Sequence, residues 1–244
     1  MVRISVCIAT YNGEKYIKEQ IDSIITQLDE NDEIIVSDDN STDNTINVLR
    51  EYNDKRIKIY TNNGQKGYTN NFQNALTKSN GEYIFLCDQD DIWNSNKVQV
   101  VLNYLNSKYD MVISDCVIGD TELKVIEESY FNTRGSKAGF WNTVIKPNYL
   151  GCCMAFNRSV LNVSIPFPKR DNYLPHDLWL GLIGYAFFNV KTTNEKLIIY
   201  RRHGNNVSDG GAKSKNNIIK KFIIRFYSIV NILNRKLNLK SGVE

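Results

Sequence analysis

Three carboxylates, those of Asp88, Asp90 and Asp91, fall within four residues and directly follow an apolar run at 83–87. Carboxylates held this close repel one another unless a cation lies between them. A hard divalent ion such as Mn²⁺ or Mg²⁺ relieves that repulsion, and it also binds diphosphate oxygens. The alternative is an acidic, solvated loop that caps the next helix, where Asp is common. The spacing alone leaves both interpretations open.

The segments around this cluster alternate between strand-like and helix-like patterns. Apolar runs predict strands at 3–9, 33–37, 57–61, 83–87 and 111–116, and amphipathic patterns predict helices at 14–27, 42–52, 69–78 and 96–106. Ser41 or Thr42 is expected to cap the second helix. This alternation is typical of an α/β, Rossmann-like fold with a mostly parallel central sheet flanked by helices. Ligands of such sheets bind beyond the carboxyl ends of the strands, here 10–13, 38–41 and 88–91.

The second half of the chain is less regular. We expect 119–147 to be a long acceptor-facing loop region, and 151–156 and 197–202 to be further strands. The segment 175–187 begins with a proline, which favours a helix start there.

Composition restricts the class of protein. The net charge of +3 is too small by itself to indicate nucleic-acid binding. Five cysteines without CxxC spacing, three of them in strand-like runs, predict buried, reduced thiols. The N-terminal apolar stretch is too short for a signal peptide, and no segment is apolar enough to span a membrane. We therefore expect a protein of the cytosol or of the cytosolic face of a membrane.

The C-terminal segment 213–240 combines apolar residues at helical spacing with a strong positive bias. Basic amphipathic helices of this kind bind anionic membrane surfaces. The alternative is a terminal helix packed on the domain or on a partner chain.

Three motifs occur in a characteristic order: ATYNGEKYI near the N-terminus, SDDNSTDNT at 37–45 and NGEYIFLCDQDD at 80–91. Together they closely resemble the inverting family-2 nucleotide-sugar glycosyltransferases with a GT-A fold, in the DxDD variant of bacterial O-antigen and polysaccharide transferases. The resemblance covers about residues 3–203. It implies a GT-A domain at 1–205, with a nucleotide-sugar half at 1–116 and an acceptor half at 117–205, followed by a basic amphipathic helical segment at 206–244.

The resemblance also implies a metal site and a donor site. Asp90 would hold Mn²⁺ (or Mg²⁺), Asp88 would contact the metal or the donor ribose, and Asp91 would support the donor. In the IYRRHGNNVS motif, His203 would be a further metal ligand and Arg202 would approach the diphosphate.

The remaining donor contacts implied by the resemblance come from the N-terminal half. Tyr11 would stack on the base and Asp39 would contact the uracil or ribose, while ordinary turn and capping roles stay open for Tyr11 and Asn71. The full set is Thr10, Tyr11, Glu14, Asp39, Lys66, Gly67 and Asn71.

Inversion at the anomeric carbon needs a base across the sugar from the diphosphate. LPHDLWLG at 174–181 resembles the acceptor-side acidic motif of the family, usually ED and here HD. Asp177 is therefore the expected base, and His176 and Trp179 the expected acceptor contacts, although core packing is the usual role of a tryptophan.

The expected activity is transfer of one hexose from UDP-galactose or UDP-glucose, in β linkage, to a lipid-pyrophosphate-linked sugar. The alternative donor is dTDP-rhamnose. A different class of protein, a non-catalytic carbohydrate- or membrane-binding module, would use the acidic loop for calcium. No GxGxxG or GxxxxGK[ST] supports a dehydrogenase or phosphate-loop enzyme. We expect a peripheral protein on the cytoplasmic face of the inner membrane, held by its C-terminal helix, and a homodimer stays open.

Overall fold

The structure is a computed structural model that describes residues 3–204, 206 and 217–241. The strands in these ranges are β1 Ile4–Thr10, β2 Glu33–Asp38, β3 Ile57–Thr61, β4 Tyr83–Cys87, β5 Ile92–Trp93, β6 Met111–Gly119, β7 Val125–Glu127, β8 Met154–Asn157 and β9 Val190–Arg201. The helices are α1 Ile17–Ile25, α2 Thr45–Glu51, α3 Tyr68–Lys78, α4 Lys97–Leu105, α5 Tyr130–Arg134, α6 Phe140–Ile145, α7 Arg158–Ser164, α8 His176–Phe187 and α9 Ile218–Ser241.

The N-terminal half builds a parallel sheet in the order β3-β2-β1-β4. Strands β1, β2 and β4 are aliphatic and almost entirely buried, because helices cover both faces of the sheet. Helix α1 buries Ile17, Ile21 and Ile24, whose spacing of four and three residues lines one helix face. The strands and helices expected in this half are confirmed to within a few residues at their ends.

The sheet continues from β4 in the order β8-β6-β9-β5, with β7 pairing to β6. Strands β6 and β9 run parallel to each other, whereas β5, β7 and β8 are antiparallel to their neighbours. The mostly parallel sheet expected from the sequence is therefore confirmed, and the antiparallel strands belong to its second half.

Two local expectations are wrong. Helix α2 begins at Thr45 after Asn44, so neither Ser41 nor Thr42 caps it. Ser41 instead donates its hydroxyl to Asp38 and accepts the backbone N–H of Asn12. The predicted strand at 151–156 begins as a 3₁₀ turn at Gly151–Cys153, and only Met154–Asn157 is extended.

The range 119–147 is also more ordered than expected, since it contains the end of β6, β7, α5 and α6. Helix α5 is only five residues long but is bounded by local signals: Ser129 accepts the backbone N–H of Asn132 at 3.1 Å, and Gly135 ends the helix at φ 59°. Elements this short give no hydrophobic periodicity that a sequence could reveal.

Helix α9 packs on α8 and α6. It confirms the helix expected near the C-terminus over 218–241, while the part of that segment at 207–216 and the last residues, 242–244, lie outside the described residues. Among the helices described, none is long and apolar enough to cross a membrane.

Gly81 permits the close approach of β4 to β1, and it yields a stability prediction. A Cβ atom at this position would lie 2.6 Å from the backbone nitrogen of Ser5 and 2.7 Å from the carbonyl carbon of Ile4. Since the backbone of a central strand cannot move aside, we expect Gly81→Ala to lower the free energy of unfolding by about 2 kcal/mol or more. Urea unfolding measures the change.

Gly64→Ala is the matched control, because there the added Cβ meets only the side-chain oxygen of Asn62, at 3.3 Å. We expect this variant to change stability by less than about 1 kcal/mol. Equal unfolding midpoints for the two variants would contradict the packing argument.

Candidate active site

Three loops meet where β1, β2 and β4 end, at what we call the carboxyl edge. Thr10 Oγ1 donates to Asp38 Oδ1 at 2.9 Å, which joins the first loop to the second. The backbone N–H of Tyr11 donates to Gln89 Oε1 at 2.9 Å, which joins the first loop to the acidic loop, residues 88–91. The edge predicted from strand order is therefore formed, and Gln89 is a linking residue that the sequence did not single out.

Asp39 organises one side of the carboxyl edge. Its Oδ2 accepts the backbone N–H of Gly67 at 2.7 Å, and its Oδ1 accepts Asn62 Nδ2 at 2.9 Å. Gly67 has φ +114°, a conformation that favours glycine. The side chain of Asp39 therefore fixes the loop that precedes α3, and it is only 7 % exposed.

Among the other residues expected to bind the donor, some have exposed side chains and others form hydrogen bonds within the protein. Tyr11 is 53 % exposed and Lys66 is exposed, so both can contact a ligand. Thr10 and Asn71 are buried, and Asn71 donates its amide to the Thr10 carbonyl at 3.0 Å. Glu14 accepts two hydrogen bonds from Asn44 at the start of α2. For Thr10 and Asn71 the structure thus shows supporting contacts in place of an open surface, whereas Glu14 is exposed and makes its contacts with Asn44 at the surface.

The acidic loop gathers ligand atoms suited to a cation. One ligand atom each of Asp88, Asp91 and Cys152 lies within 4.8 Å of the others. Burial raises the pKa of Asp88 to about 7, with a further contribution from Asp90. Burial, with Asp90 and Asp88, raises the pKa of Asp91 well above its usual range.

The hydrogen bonds of Asp91 also support a cation site at the acidic loop. Its Oδ1 accepts the backbone N–H of Arg201 at 3.0 Å, while its Oδ2 is buried and, within the described residues, has no hydrogen-bond partner. Buried polar atoms are normally satisfied, so an orphaned carboxylate oxygen beside other acids fits a hard divalent cation.

Asp90 pairs with His203 across the chain. The Nε2 atom of His203 lies 2.8 Å from Asp90 Oδ2, and the imidazole stacks on Tyr16 with ring centroids 4.7 Å apart. Burial raises the pKa of Asp90, and the contact with His203 opposes that rise. The structure therefore brings together the two residues that the sequence analysis assigned to a metal from opposite ends of the domain.

Arg201, and not Arg202, supports the acidic loop. The Arg201 side chain is 3 % exposed, and its Nε donates to the carbonyl of Asp90 at 2.9 Å. It also pairs with Glu19 and donates to the carbonyl of Thr121. Arg202 is half-buried, and its backbone N–H donates to the carbonyl of Gly119 at the end of β6 at 2.8 Å. Arg201 is the last residue of β9 and Arg202 lies beyond the strand, so the two adjacent arginines have different environments.

Lys97 is a buried cation that sequence reasoning missed. Its ammonium group donates to the carbonyl of Cys152 at 2.9 Å and lies 4.4 Å from the Trp93 ring centroid. Burial lowers its pKa. A lysine on an amphipathic helix is usually exposed, so no signal in the sequence distinguishes this one.

The start of α8 faces the acidic loop. Burial raises the pKa of Asp177 to about 6, and Oδ1 accepts the backbone N–H of Leu178 at 2.7 Å. The charge of Asp177 also contributes to the raised pKa of Asp88, after burial and Asp90, and to that of Tyr68, after burial. Asp177 follows His176, whose ring packs against Gly151 beside Cys152, so the start of α8 lies near the acidic loop although Asp177 is 86 positions beyond Asp91 in the chain.

His176, which we expected to contact the acceptor, precedes Asp177 and is buried, so it offers no open surface to an acceptor. It is 5 % exposed, and its ring stacks on Phe72 with centroids 4.3 Å apart. Burial lowers its pKa to about 3, so the ring is neutral near pH 7. A Cβ on Gly151 would lie 2.4 Å from its Nε2, so glycine is needed there.

Trp179 corrects an expectation. We expected it to contact the acceptor, but it is 1 % exposed and its indole N–H donates to the carbonyl of Ser164 at 2.8 Å. The guanidinium of Arg235 on α9 lies 5.4 Å from its ring centroid. The side chain is part of the contact between α8 and its neighbours, which leaves no surface for a sugar.

Several known proteins have amino-acid sequences similar to that of this chain. The family model described as "Glycosyl transferase family 2" matches residues 5–164. The Escherichia coli protein WfaP, named UDP-Glc:alpha-D-GlcNAc-diphosphoundecaprenol beta-1,3-glucosyltransferase, is 27 % identical over 95 % of this chain and 94 % of its own. The dTDP-rhamnosyl transferase RfbG of Shigella flexneri is 32 % identical over 81 % of this chain and 72 % of its own.

Solved structures share the GT-A fold. S. aureus TarS 1-349 in complex with UDP-GlcNAc aligns with a TM-score of 0.70 at 18 % identity, over 94 % of this chain and 67 % of that one. Glucosyl-3-phosphoglycerate synthase from Mycobacterium tuberculosis, in complex with Mn²⁺, UDP and glucosyl-3-phosphoglycerate, aligns with a TM-score of 0.60 at 18 % identity, over 96 % and 80 %.

The raised pKa of Asp88 predicts how stability depends on pH. An Asp in an unfolded chain titrates near pH 4, whereas burial raises the pKa of Asp88 to about 7 in the folded protein. Between these values the folded state binds more protons, so the free energy of unfolding falls as the pH rises. Asp88→Asn removes this titration. We expect the metal-free variant to lose less thermal stability than the unmodified protein between about pH 5 and about pH 7.5.

Asp54→Asn is the control. The hydrogen bond from Arg56 lowers the pKa of Asp54, so this group titrates below the pH range of the experiment. Melting temperatures measured in EDTA should fall with pH in this control as in the unmodified protein. An equally steep fall for Asp88→Asn would contradict the prediction.

Proposed function

Because the chain belongs to glycosyl transferase family 2, we propose that this glycosyltransferase inverts the anomeric centre as it transfers one hexose from UDP-glucose or UDP-galactose to a lipid-diphosphate-linked sugar. The observation that carries the proposal is the acidic loop: ligand atoms of Asp88, Asp91 and Cys152 lie within 4.8 Å of one another, and Asp90 Oδ2 lies 2.8 Å from His203 Nε2. Asp177, at the start of α8, is the candidate carboxyl group on the acceptor side. In this proposal residues 1–116 bind the donor and residues 117–205 the acceptor.

The donor side fits a nucleotide diphosphate with a divalent cation. Asp90, Asp88 and His203 would hold Mn²⁺ or Mg²⁺, and the orphaned oxygen of Asp91 adds a further acceptor for the cation or its water. Such a cation neutralises the charge that collects on a departing nucleoside diphosphate. The exposed ring of Tyr11 is the candidate for stacking on the base.

Lys66 and Arg202 complete the donor side in this proposal. Lys66 is exposed on the loop that Asp39 orders, so its ammonium group can reach phosphate oxygens. Arg202 follows the buried Arg201 and precedes His203, next to the acidic loop. Neither residue alone identifies the sugar.

The acceptor side supplies a base. Asp177 takes the proton from the acceptor hydroxyl as that oxygen attacks the anomeric carbon opposite the leaving group, which inverts the configuration. Its raised pKa brings its basicity closer to what proton transfer near neutral pH needs. The neighbouring His176 is neutral and therefore does not weaken the base by placing a positive charge beside it.

The acceptor class rests on similarity and on α9. WfaP is named for a GlcNAc-diphosphoundecaprenol acceptor. Helix α9 carries Lys and Arg but no Asp or Glu, and its apolar residues are largely exposed. A lipid acceptor requires an enzyme that works at a membrane, so we propose peripheral attachment through α9 to the cytoplasmic face of the inner membrane. A second donor candidate, dTDP-rhamnose, is favoured by the similarity to RfbG.

A donor panel tests the proposal. With Mn²⁺ and a short-chain lipid-diphosphate GlcNAc acceptor, we expect UDP-glucose or UDP-galactose to give a product one hexose heavier, measured by mass spectrometry, and EDTA to abolish it. Product from dTDP-rhamnose alone would favour the second candidate. Failure of every UDP and dTDP sugar would overturn the substrate assignment.

Replacing the base tests the mechanism. Asp177→Asn keeps the shape of the side chain but removes its basicity, so we expect kcat to fall by about 10²- to 10⁴-fold. Binding of UDP, measured by titration calorimetry, should change little, because Asp177 lies on the acceptor side. The exposed Glu195→Gln on β9 is the control and should retain full kcat.

The same residue sets the acid side of the pH profile. Because burial raises the pKa of Asp177 to about 6, kcat should fall about tenfold per pH unit below about pH 6 as the base becomes protonated. A bound cation offsets the charge of Asp88 and moves this limb to slightly lower pH. The residual activity of Asp177→Asn should lack the limb, and a limb that persists in this variant would be evidence for another base.

A further inference from the structure

Helix α9 turns its less apolar side to the domain and its apolar side outward. Ser228 and Ile232 are buried, and Tyr227 and Arg235 on the same side contact the segment 165–170. The opposite side carries large apolar residues that are 53–72 % exposed, which we call the outer stripe: Ile219, Phe222, Phe226, Leu233 and Leu237. Their spacing of three, four, seven and four residues places them on one face of the helix. The intramolecular contacts of α9 therefore involve Ile224, Ile229 and Ile232 but do not bury the outer stripe.

A second helix adds to this surface. On α6, Trp141 and Ile145 are 64 % and 58 % exposed and lie four residues apart, which places them on one face. Arg225 on α9 donates to the carbonyl of Ile145 at 2.8 Å and so fixes the end of α6 against α9. Ile218 and Phe222 precede Arg225 by seven and three residues, so they lie on the same side of α9 as this contact. The exposed residues of α6 and of the start of α9 are therefore neighbours.

The charges around this surface have one sign. The segments 135–148 and 217–241 contain eight Lys and Arg residues and no Asp or Glu, although the whole chain has a net charge of only +3. The rest of the chain is therefore net negative. An apolar surface whose own segments carry only positive charges complements an anionic lipid surface, where tryptophan prefers the interfacial region.

We propose that α6 and α9 form a single membrane-docking surface, in which Trp141 and Ile145 insert into an anionic bilayer beside the outer stripe. The inference rests on the proposed lipid-linked acceptor and extends it from one helix to a surface with a defined orientation. Both helices pack on α8, which begins with His176 and Asp177. Helix α8 is about 18 Å long. When α6 and α9 dock on a membrane, Asp177 therefore lies no farther than about 18 Å from the helices that contact the lipid.

Vesicle binding tests the surface without requiring catalysis. The full chain is sedimented with phosphatidylcholine vesicles with and without phosphatidylglycerol. We expect Trp141→Ala/Ile145→Ser to lower partitioning onto the anionic vesicles by about tenfold, because two large apolar side chains no longer insert. Trp141→Phe should retain most of the binding.

Val125→Ser/Ile126→Ser is the matched control. These side chains are 48 % and 56 % exposed, but their segment, 120–128, carries four carboxylates and one lysine, so an anionic bilayer repels it. We expect this variant to partition as the unmodified protein does. Circular dichroism establishes that each variant is folded, and light scattering gives its oligomeric state.

Two results would overturn the proposal. One is unchanged partitioning of Trp141→Ala/Ile145→Ser, and the other is a change in its oligomeric state without a change in partitioning, which would make the surface an interface between two copies of the chain. Transfer to a short-chain, water-soluble acceptor tests the proposed function separately from the docking surface. Loss of vesicle binding with retained transfer supports the docking surface, whereas absence of transfer in the unmodified protein contradicts the proposed function and leaves the vesicle result standing.

Discussion

Mutual repulsion among the carboxylates of the acidic loop is the constraint on which the rest of the site depends. Asp88, Asp90 and Asp91 are half-buried or buried, and the pKa values of Asp88 and Asp91 are raised chiefly by burial and then by the charge of Asp90. A rigid support helps to keep such a group together. The buried guanidinium of Arg201 supplies it by bonding the Asp90 carbonyl, while its own backbone N–H bonds Asp91. The loop is therefore ready for a cation and is costly without one.

Several contacts connect this loop to the acceptor side. Cys152 approaches Asp88 and Asp91 from the 3₁₀ turn Gly151–Cys153, and the neighbouring Gly151 lets the ring of His176 pack directly on that turn. His176 is the first residue of α8, and Asp177 follows it. The histidine of the HD pair is thus a packing residue at the junction between two halves of the site. An exposed acceptor contact would have required a side chain with accessible ring nitrogens.

The C-terminal helix α9 packs on the domain with one face and exposes apolar residues on the other. A helix that only completed a domain would turn its most apolar side inward. Helix α9 instead contacts α8 and the segment 165–170 through Tyr227, Ser228, Ile232 and Arg235, and it leaves Phe222, Phe226 and Leu233 exposed. Helix α9 is thus held on the domain by one face, while its other face leaves an apolar surface free for a membrane.

The sequence by itself determined the parallel half of the sheet and the location of the acidic loop, because aliphatic runs, helical periodicity and strand order are local properties. It also selected His203 and Asp177 through motifs, and the structure brings His203 to Asp90 of the acidic loop. Only the tertiary structure decided which polar residues became supports: Arg201 and Lys97 are buried by distant segments, and Trp179 is enclosed by α7 and α9. No local pattern distinguishes a buried cation from an exposed one, since burial depends on which segments fold over it.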